Sequence, residues 1–365
     1  MRVPQLRKIG LPAMTPRYTR QPWTESYSEI IDVRSPREFA EDRIPSSINL
    51  PVLNDSDRTG LGTIYKQISP LTVRKIKAAL VSKNISQHLI EYFATKDKNY
   101  RPLVYCGRGG QRSSSMALAL AKIGWRVTLL EGGYKTYRAD VRKHLEHLPQ
   151  RFTYQVLCGL TGSAKKRILH QMRQRGAQVL DLAALANHSD LLLGEEWQGK
   201  VSLQPSQKYF ESLLLEQLQK FNPHQPVWVE SLSQKIGKVY LPQSLWEKMK
   251  QASCVEIQIP IAAIDFLLEE YSHLIHDADV LKWKLEKLKS RCGWDKLCYW
   301  HQLIDAQKWE LFMQDMLQFH HDYIYRQSRK HYFNKVERVL SLPNLSDSNM
   351  ENLLDCLLPN CVALI

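Results

Sequence analysis

The sequence contains no run of about eighteen consecutive apolar residues, so we expect no transmembrane helix. Its first eight residues include two arginines, a lysine and a proline, and they do not form the apolar core of a signal peptide. No internal repeat is visible. These absences predict a cytoplasmic protein that does not act at a membrane.

Cysteine is scarce, and the cysteines are not paired in sequence. They form no Cys-x-x-Cys pair and no zinc-ligand spacing, so we expect no metal site. Their odd number argues against a disulfide framework and favours a reducing compartment. The seven cysteines are at positions 106, 158, 254, 292, 298, 356 and 361.

Acidic residues are fewer than basic ones, with 37 Asp+Glu against 50 Lys+Arg, a net charge of +13 and a pI near 9.3. This charge predicts a polyanionic partner, RNA or DNA first, although a charged surface that serves only solubility is the alternative. At 365 residues the chain is long for one core, which predicts two domains.

Strand and helix patterns alternate over residues 26–148, which predicts a small parallel α/β domain after an irregular, proline-rich arm at 1–25. An aspartate at a strand end commonly fixes the neighbouring turn, so we predict structural roles for Asp32 and Arg34. The predicted strands lie at 30–33, 103–105 and 127–130, and the predicted helices begin at Ser35-Pro36, span 71–95 and span 113–124.

A second α/β domain is predicted at residues 149–260, followed by a helical, RNA-contacting part at 261–340 and a C-terminal tail at 341–365. Its parallel strands are predicted at 154–158, 179–182 and 226–230, with a helix at 165–175. Two sets of apolar residues in the helical part recur at helical spacing and are predicted to be buried. They are the apolar positions within 264–275 and the set Leu297, Trp300, Ile304 and Leu311.

Cys106 ends a buried-strand pattern and opens a glycine-rich turn that leads into a helix. A thiol at that place meets backbone N–H groups, a helix N-terminus and two arginines, all of which favour the thiolate. Cys106 is therefore a candidate nucleophile or chalcogen carrier. The alternative is a small buried side chain without chemistry.

Four segments in sequence order resemble the rhodanese domain: residues 31–39, 43–51, 106–113 and 130–134. In that fold the cysteine accepts sulfur or selenium as a persulfide or perselenide, and the amides of its turn hold the anionic donor. The resemblance therefore implies a catalytic role for Cys106. It implies donor-anion binding by Gly107, Arg108, Gly109, Gly110, Gln111 and Arg112.

The turn at 106–113 resembles more narrowly the Cys-Trp-Arg-Gly-Gly-x-Arg-Ser turn of the tRNA 2-selenouridine synthase family, with Gly107 in the place of tryptophan. Segments at 54–65, 181–188, 204–211 and 229–237 also resemble segments of that family. An arginine-glycine-serine run of the family is replaced by residues 189–191. The resemblance covers roughly residues 25–330 and implies a rhodanese-like α/β domain, then a P-loop NTPase-like α/β domain with a helical C-terminal part.

The second domain begins with a degenerate phosphate-binding loop between a predicted strand and a predicted helix. The full pattern needs a glycine before the lysine and a hydroxyl after it for Mg²⁺. Gly159 and Lys165 are present, but Ala164 and Lys166 take the other two places. Without the resemblance, an ordinary strand-to-helix turn would be the better interpretation.

The resemblance implies an enzyme that replaces the sulfur of wobble 2-thiouridine in tRNA with selenium through a geranylated intermediate. Its co-substrates would be selenophosphate and geranyl diphosphate, with no tightly bound cofactor, and a selenophosphate-producing enzyme is a candidate partner. Cys106 would carry the selenium. Diphosphate would be bound by Gly159, Thr161, Gly162, Ser163 and Lys165.

Residues 281–291 interleave five basic residues with a tryptophan. Lysines can bind phosphates and an unpaired base can stack on the indole. The leucines of this stretch have core-facing spacing, so the lysines could instead only solvate the opposite face. The residues predicted to bind RNA are Lys282, Trp283, Lys284 and Lys289.

Two other functions stay open from the sequence. One is a rhodanese sulfurtransferase whose P-loop-like domain only binds tRNA, and the other is a non-catalytic tRNA-binding protein. The feature that separates them from the synthase is an intact Cys106 beside the altered Ala164 and Lys166.

Overall fold

The computed structural model describes residues 15–57, 70–160, 163–188, 204–259, 277–316, 319 and 332–358. The chain divides into two compact units. The first is Met1–His144 with Glu211–Leu213, and the second is Leu145–Phe210 with Leu214–Ile365.

The first unit is built on a parallel β-sheet. Its described strands are β1 (Arg17–Thr19), β2 (Glu29–Asp32), β3 (Ile48–Asn49), β4 (Pro102–Tyr105) and β5 (Thr128–Leu130). They lie in the order β1-β5-β4-β2-β3, so β4 is central. All four residues of β4 are buried, as expected for a central parallel strand.

The structure confirms the three helices predicted in the first unit and adds a fourth after β5. They are α1 (Pro36–Glu41), α2 (Pro70–Glu91), α3 (Gln111–Ile123) and α4 (Gly133–His147), the last belonging to this unit as far as His144. Helix α1 starts after Ser35, whose backbone N–H donates to the Glu38 carboxylate at 3.1 Å. Helix α3 ends at Gly124, which has a φ of 108°. The predicted parallel α/β fold is confirmed.

Strand β1 lies within the stretch predicted to be an irregular arm, and that prediction was wrong there. Its residues pair in parallel with β5, from Arg17 beside Thr128 to Thr19 beside Leu130. The strand has no buried side chain and so no apolar pattern. Its pairing partner lies more than a hundred residues away in sequence, which local pattern reading does not detect.

The second unit contains another parallel sheet. Its described strands are β6 (Tyr154–Gly159), β7 (Gln178–Leu180), β8 (Val227–Glu230), β9 (Lys235–Ile236), β10 (Val239–Tyr240), β11 (Ser253–Gln258) and β12 (Val336–Ser341). Five of them form a sheet in the order β12-β11-β6-β8-β7, and β9 with β10 forms a short antiparallel hairpin. The predicted strands at 154–158, 179–182 and 226–230 are therefore neighbours in one sheet.

Helices of this α/β part are α5 (Lys165–Gln174), α6 (Leu182–Leu185), α7 (Gln207–Gln219) and α8 (Gln243–Gln251). Helix α5 directly follows the candidate phosphate loop. It buries Ile168 and Met172 in a cluster that also contains Leu157 of β6. The first residues of α5 are thereby fixed at the carboxyl end of the sheet.

A helical group follows, consisting of α9 (Ala278–Leu285), α10 (Lys289–Cys292), α11 (Trp294–Asp305) and α12 (Trp309–Met316). The predicted helical C-terminal part is confirmed, and Leu297, Trp300 and Ile304 lie in its core. Leu311 was predicted to be buried but is 49% exposed. The helical period is interrupted between α11 and α12, where Gln307 has a φ of 55°. The predicted apolar face within 264–275 lies outside the described residues.

After residue 332 the chain adds one strand to the second sheet and a helix whose buried side chains join the core beside that sheet. Strand β12 pairs with β11, so the predicted helical part does not extend to 340. Within the predicted tail, α13 (Asp347–Leu357) buries Leu353 and Leu354. Arg175 at the end of α5 forms ion pairs with Glu351 and Asp355 of α13. None of the described helices is both long enough and apolar enough to cross a bilayer.

Candidate functional site

Cys106 directly follows β4, at the edge of the first sheet where its parallel strands end. The residue is 2% exposed. Turns that follow neighbouring parallel strands emerge side by side, and the turn after Cys106 meets the turn after β5. The backbone of Gly109 (φ 62°) lies against that of Gly132.

The first residues of α4, which follow the turn after β5, hold the Cys106 turn in place. The backbone N–H of Tyr134 donates to the Cys106 carbonyl at 2.8 Å, and that of Lys135 donates to the Gly107 carbonyl at 3.1 Å. Gly133 has a φ of 60°, and a Cβ at this position would overlap the Cys106 carbonyl oxygen. Only glycine allows this approach, and the approach fixes the backbone next to the thiol.

The Cys106 sulfur accepts hydrogen bonds from the backbone N–H of Gly110 at 3.3 Å and the hydroxyl of Ser113 at 3.1 Å. Gly110 immediately precedes α3, so the sulfur also lies at the positive end of a helix. Burial by itself raises the pKa of the thiol. Hydrogen bonds from Ser113 and from the N–H groups of Arg108 and Gly110 outweigh burial, and the pKa of Cys106 is lowered. The thiolate, the nucleophilic form, is thereby favoured.

Arg112 is fixed beside this turn, whereas Arg108 and Gln111 are exposed. The Nη1 atom of Arg112 donates to Oε2 of Glu38 at 2.9 Å, and the same carboxylate caps α1. A Cβ on Gly107 would lie 3.2 Å from Nη2 of Arg112, so a side chain there would crowd the guanidinium. Of the predicted donor-anion residues, Gly107 to Gly110 lie in the turn next to the thiol, and Gln111 and Arg112 begin α3.

Asp32 and Arg34 support the turn without facing it. They form a buried ion pair of 2.6 Å, and Arg34 also donates to the Asp42 carbonyl at 2.6 Å. The guanidinium lies 4.1 Å from the ring centroid of Tyr134, whose N–H holds the Cys106 carbonyl. The structural role predicted for this pair is confirmed.

The candidate phosphate loop of the second unit has a different arrangement, because its lysine points back at its own backbone. The Lys165 ammonium donates to the carbonyl oxygens of Gly159 and Leu160, both at 2.9 Å. It also lies 3.5 Å from Ser163 Oγ and 3.5 Å from a carboxylate oxygen of Glu230. Lys165 is 8% exposed, so its charge is balanced within the protein.

Ala164 takes the place of the glycine in the P-loop pattern, and its backbone adopts the conformation that glycine favours. Its φ is 53° and its ψ is 24°. An alanine in this left-handed region is strained, so the loop keeps a glycine-like shape without a glycine. The predicted diphosphate ligands Gly159, Ser163 and Lys165 lie together here, whereas Thr161 and Gly162 lie outside the described residues.

Two sequence families match the chain. The tRNA 2-selenouridine synthase AAA domain matches residues 152–337, about half of the chain, and the rhodanese-like domain matches residues 17–140. The chain belongs to the tRNA 2-selenouridine synthase family.

Individual relatives carry the same name. The tRNA 2-selenouridine synthase of Nitrosomonas europaea is 34% identical over 247 residues, which cover 66% of this chain and 63% of that protein. The tRNA 2-selenouridine synthase of Nitrosomonas eutropha is 32% identical over 247 residues, which cover 66% of this chain and 62% of that protein. That of Hydrogenovibrio crunogenus is 33% identical over 251 residues, which cover 66% of this chain and 67% of that protein. The chain therefore spans slightly less than two thirds of the length of the two Nitrosomonas proteins.

A solved N-terminal domain of an ATP/GTP-binding protein from Clostridium difficile 630 is 29% identical. The match covers 35% of this chain and 98% of that domain, with a TM-score of 0.31.

In this member of the tRNA 2-selenouridine synthase family, the predicted RNA-binding residues do not share one environment. Trp283 is exposed, but Lys284 is 5% exposed and lies in the helical group, which corrects its placement on the solvent face. Lys282 pairs with Asp305. The Lys289 ammonium lies 4.3 Å from the ring centroid of Trp294.

Three residues next to the two loops were not among the predicted site residues. Ser113 ends the Cys106 motif and is fully buried. Glu38 lies in the predicted helix that begins at Ser35-Pro36, and its carboxylate also binds Arg112. Glu230 ends a predicted strand beside the phosphate loop, and a carboxylate at a buried strand end was the signal that could have found it. Among the described residues, no group of three or more His, Cys, Asp or Glu is placed to hold a metal ion.

Proposed function

We propose that this chain is a tRNA-modifying transferase that replaces the sulfur of wobble 2-thiouridine with selenium, and that Cys106 carries the selenium. One observation carries the proposal: the Cys106 sulfur accepts hydrogen bonds from Gly110 N–H and Ser113 Oγ at a helix N-terminus, and its pKa is lowered. That site lies in a chain of the tRNA 2-selenouridine synthase family.

The chemistry needs two steps because the sulfur of a thiocarbonyl leaves poorly. In the first, the uridine sulfur attacks geranyl diphosphate, a C–S bond forms to the geranyl group, and diphosphate leaves. In the second, the selenium end of a Cys106 perselenide attacks C2 of the base, and geranylthiolate departs. Covalent catalysis by the cysteine divides a difficult exchange into easier steps.

The electrons balance if Cys106 alternates between a mixed disulfide and a perselenide. Hydrolysis of selenophosphate gives selenide and phosphate, and selenide attacks the mixed disulfide of Cys106 with a small thiol. The thiol leaves and the perselenide remains. After transfer to C2, the same thiol cleaves the sulfur–selenium bond, which frees 2-selenouridine and restores the mixed disulfide. The cycle consumes no net reductant.

In the proposed first step the second unit binds geranyl diphosphate. The diphosphate would replace the carbonyl oxygens of Gly159 and Leu160 as partners of the Lys165 ammonium. Amides at the start of α5 would add donors, since helix N-termini bind phosphate groups. Lys166 takes the place of the Mg²⁺-binding hydroxyl, and a second ammonium there would offset the charge of the leaving group without a metal.

A second candidate is a rhodanese-type transferase whose phosphate loop only supports RNA binding. The observation that favours it is the Lys165 ammonium, which already has two carbonyl partners and lies near Glu230. Under this candidate, selenium or sulfur transfer by Cys106 persists and geranylation is absent.

The test is to assay the two steps separately with the purified full chain. One reaction contains 2-thiouridine tRNA and geranyl diphosphate. The other contains pre-geranylated tRNA, selenophosphate, and a small thiol together with its disulfide, which exchanges with Cys106 to form the mixed disulfide that starts the cycle. Nucleosides are identified by mass spectrometry. We expect Lys165→Ala to stop only geranylation and Cys106→Ser to stop only selenium transfer. Selenium transfer without any geranylation supports the second candidate, and absence of both products refutes the enzyme proposal.

A further inference from the structure

The helical group exposes two tryptophans that its core does not use. Trp283 on α9 and Trp294 at the start of α11 are each 57% exposed. The core of the group is formed by other residues, among them Leu285 and Trp300. Trp300, by contrast, is fully buried, and its Nε1 donates to Asp315 at 2.7 Å, so this indole has a structural role.

Each exposed indole has a lysine ammonium over its ring. Lys287 lies 4.4 Å from the ring centroid of Trp283, and Lys289 lies 4.3 Å from that of Trp294. The two lysines are two residues apart in the chain, between α9 and α11. Both cation–indole pairs are therefore presented by one short stretch of the helical group.

We propose that Trp283 and Trp294, with Lys287 and Lys289, form a stacking surface for unpaired nucleotides of an RNA loop. This inference rests on the proposed function, because that function requires a tRNA to present an unpaired wobble base. It differs from the linear basic stretch expected from the sequence: Lys284 is buried, Lys282 pairs with Asp305, and Trp294 enters the surface.

The geometry suits a base better than a protein side chain. Every base has a π-face that can stack on an indole, and stacking on aromatic residues is stronger than an exposed cation–π contact. A base can therefore displace the ammonium of Lys287 or Lys289 from the ring. The displaced ammonium stays tethered within reach of the phosphate of that nucleotide.

Charge complementarity points to the same occupant. Three exposed basic residues, Lys287, Lys289 and Arg291, lie in the short stretch between the two tryptophans. The exposed acidic residues next to them are Glu286 and Asp295. A polyanion carrying flat aromatic groups matches this combination of basic and indole side chains.

The test measures binding of two labelled RNAs to the full chain by fluorescence anisotropy. One is a stem–loop with an unpaired anticodon loop, and the other is a fully paired duplex of equal length. We expect Trp283→Ala and Trp294→Ala each to weaken stem–loop binding by about five- to a hundredfold and to leave duplex binding almost unchanged. Lys287→Ala and Lys289→Ala should each reduce the salt slope by about 0.7.

Tyr240→Ala is the matched control, because Tyr240 is an exposed ring of the second unit with the Lys235 ammonium 5.5 Å from its centroid. We expect Tyr240→Ala to bind the stem–loop as tightly as the wild-type chain does, and Trp283→Phe to retain most of the wild-type affinity.

Unchanged stem–loop binding by both the Trp283→Ala and Trp294→Ala variants overturns the proposal. An equal loss of affinity for the stem–loop and the duplex also overturns it. The proposal is also overturned if the wild-type chain binds polyglutamate more tightly than the stem–loop and the two tryptophan variants lose that binding. If selenium transfer fails but loop binding needs both tryptophans, the surface stands and only the proposed activity falls.

Discussion

The two units place a strand, a glycine-containing turn and a helix start in the same order, but the two turns stabilise opposite charges. After β4, the turn directs N–H groups and the Ser113 hydroxyl at the Cys106 sulfur, which favours a negative charge. After β6, the turn directs the carbonyl oxygens of Gly159 and Leu160 at the Lys165 ammonium. A shared local pattern therefore does not determine which charge a turn receives.

The difference lies in what holds each backbone. The Cys106 turn is fixed from outside by the N–H groups of Tyr134 and Lys135. The phosphate loop, in its described part, is held from inside by its own lysine. The first arrangement leaves the thiol ready for chemistry, whereas the second must exchange partners before an anion can bind. Three substitutions and one final measurement test this contrast.

The largest effect is expected at Gly133. An alanine there would adopt a left-handed conformation, which costs about 1–2 kcal/mol, and would overlap the Cys106 carbonyl, for about 1–3 kcal/mol more. We expect Gly133→Ala to destabilise the first unit by about 2–5 kcal/mol, measured by hydrogen exchange in residues 102–130. Gly124→Ala is the control, because Gly124 also has a positive φ but no atom near the added Cβ. Equal effects of the two substitutions would show that the Gly133 approach does not fix the turn.

An intermediate effect is expected at Ser113. Removing its hydroxyl removes the largest contribution that lowers the pKa of Cys106, so Ser113→Ala should raise that pKa. The thiolate is titrated by ultraviolet absorbance as the difference between each protein and its Cys106→Ser counterpart. Ser115→Ala, on the exposed side of the same helix, should leave the titration unchanged.

The sign of the accompanying stability change follows from linkage. A thiol whose folded pKa is lowered adds stability above its ordinary pKa and loses it as the pH falls through the lowered value. Ser113→Ala should therefore destabilise the protein at alkaline pH more than at acidic pH. A pH-independent change would contradict a stabilised thiolate.

The smallest effect is expected at Ala164. Glycine relieves the left-handed strain of about 1–2 kcal/mol, but it loses a buried methyl group and adds chain entropy in the unfolded state. Ala164→Gly should thus be about neutral, whereas Ala184→Gly in α6 should cost about 1 kcal/mol. Chemical unfolding measures both. A larger loss at Ala164 than at Ala184 would mean that the loop is not strained there.

Local signals were sufficient to predict much of the first unit. The apolar run before Cys106, the glycines after it and the proline at the start of α1 each determine structure within a few residues. Strands β1 and β12 could not be predicted, because they have few buried side chains and owe their existence to distant pairing partners. Leu311 was misplaced because the turn at Gln307 restarts the helical period.

The two candidate sites also contain some features that the local sequence predicts and others that depend on distant residues. Clustering of the Cys106 turn residues follows from their adjacency in sequence. Glu38, the Asp32–Arg34 pair and the turn at Gly133 come from elsewhere in the chain. The Lys165 ammonium also lies 3.5 Å from Glu230, sixty-five residues away, and no local pattern contains that contact. The burial of Lys284, which precedes the core residue Leu285 on α9, is likewise not contained in the local pattern of basic residues.

The central claim is that the Cys106 thiolate transfers selenium to tRNA, and the most direct measurement is 2-selenouridine in the tRNA of living cells. Cells lacking the gene are supplied with the wild-type chain, with Cys106→Ser or with Cys356→Ser, an exposed cysteine, and wobble nucleosides are quantified by mass spectrometry. We predict that Cys356→Ser restores 2-selenouridine and that Cys106→Ser does not. A normal level of 2-selenouridine with Cys106→Ser would contradict the account.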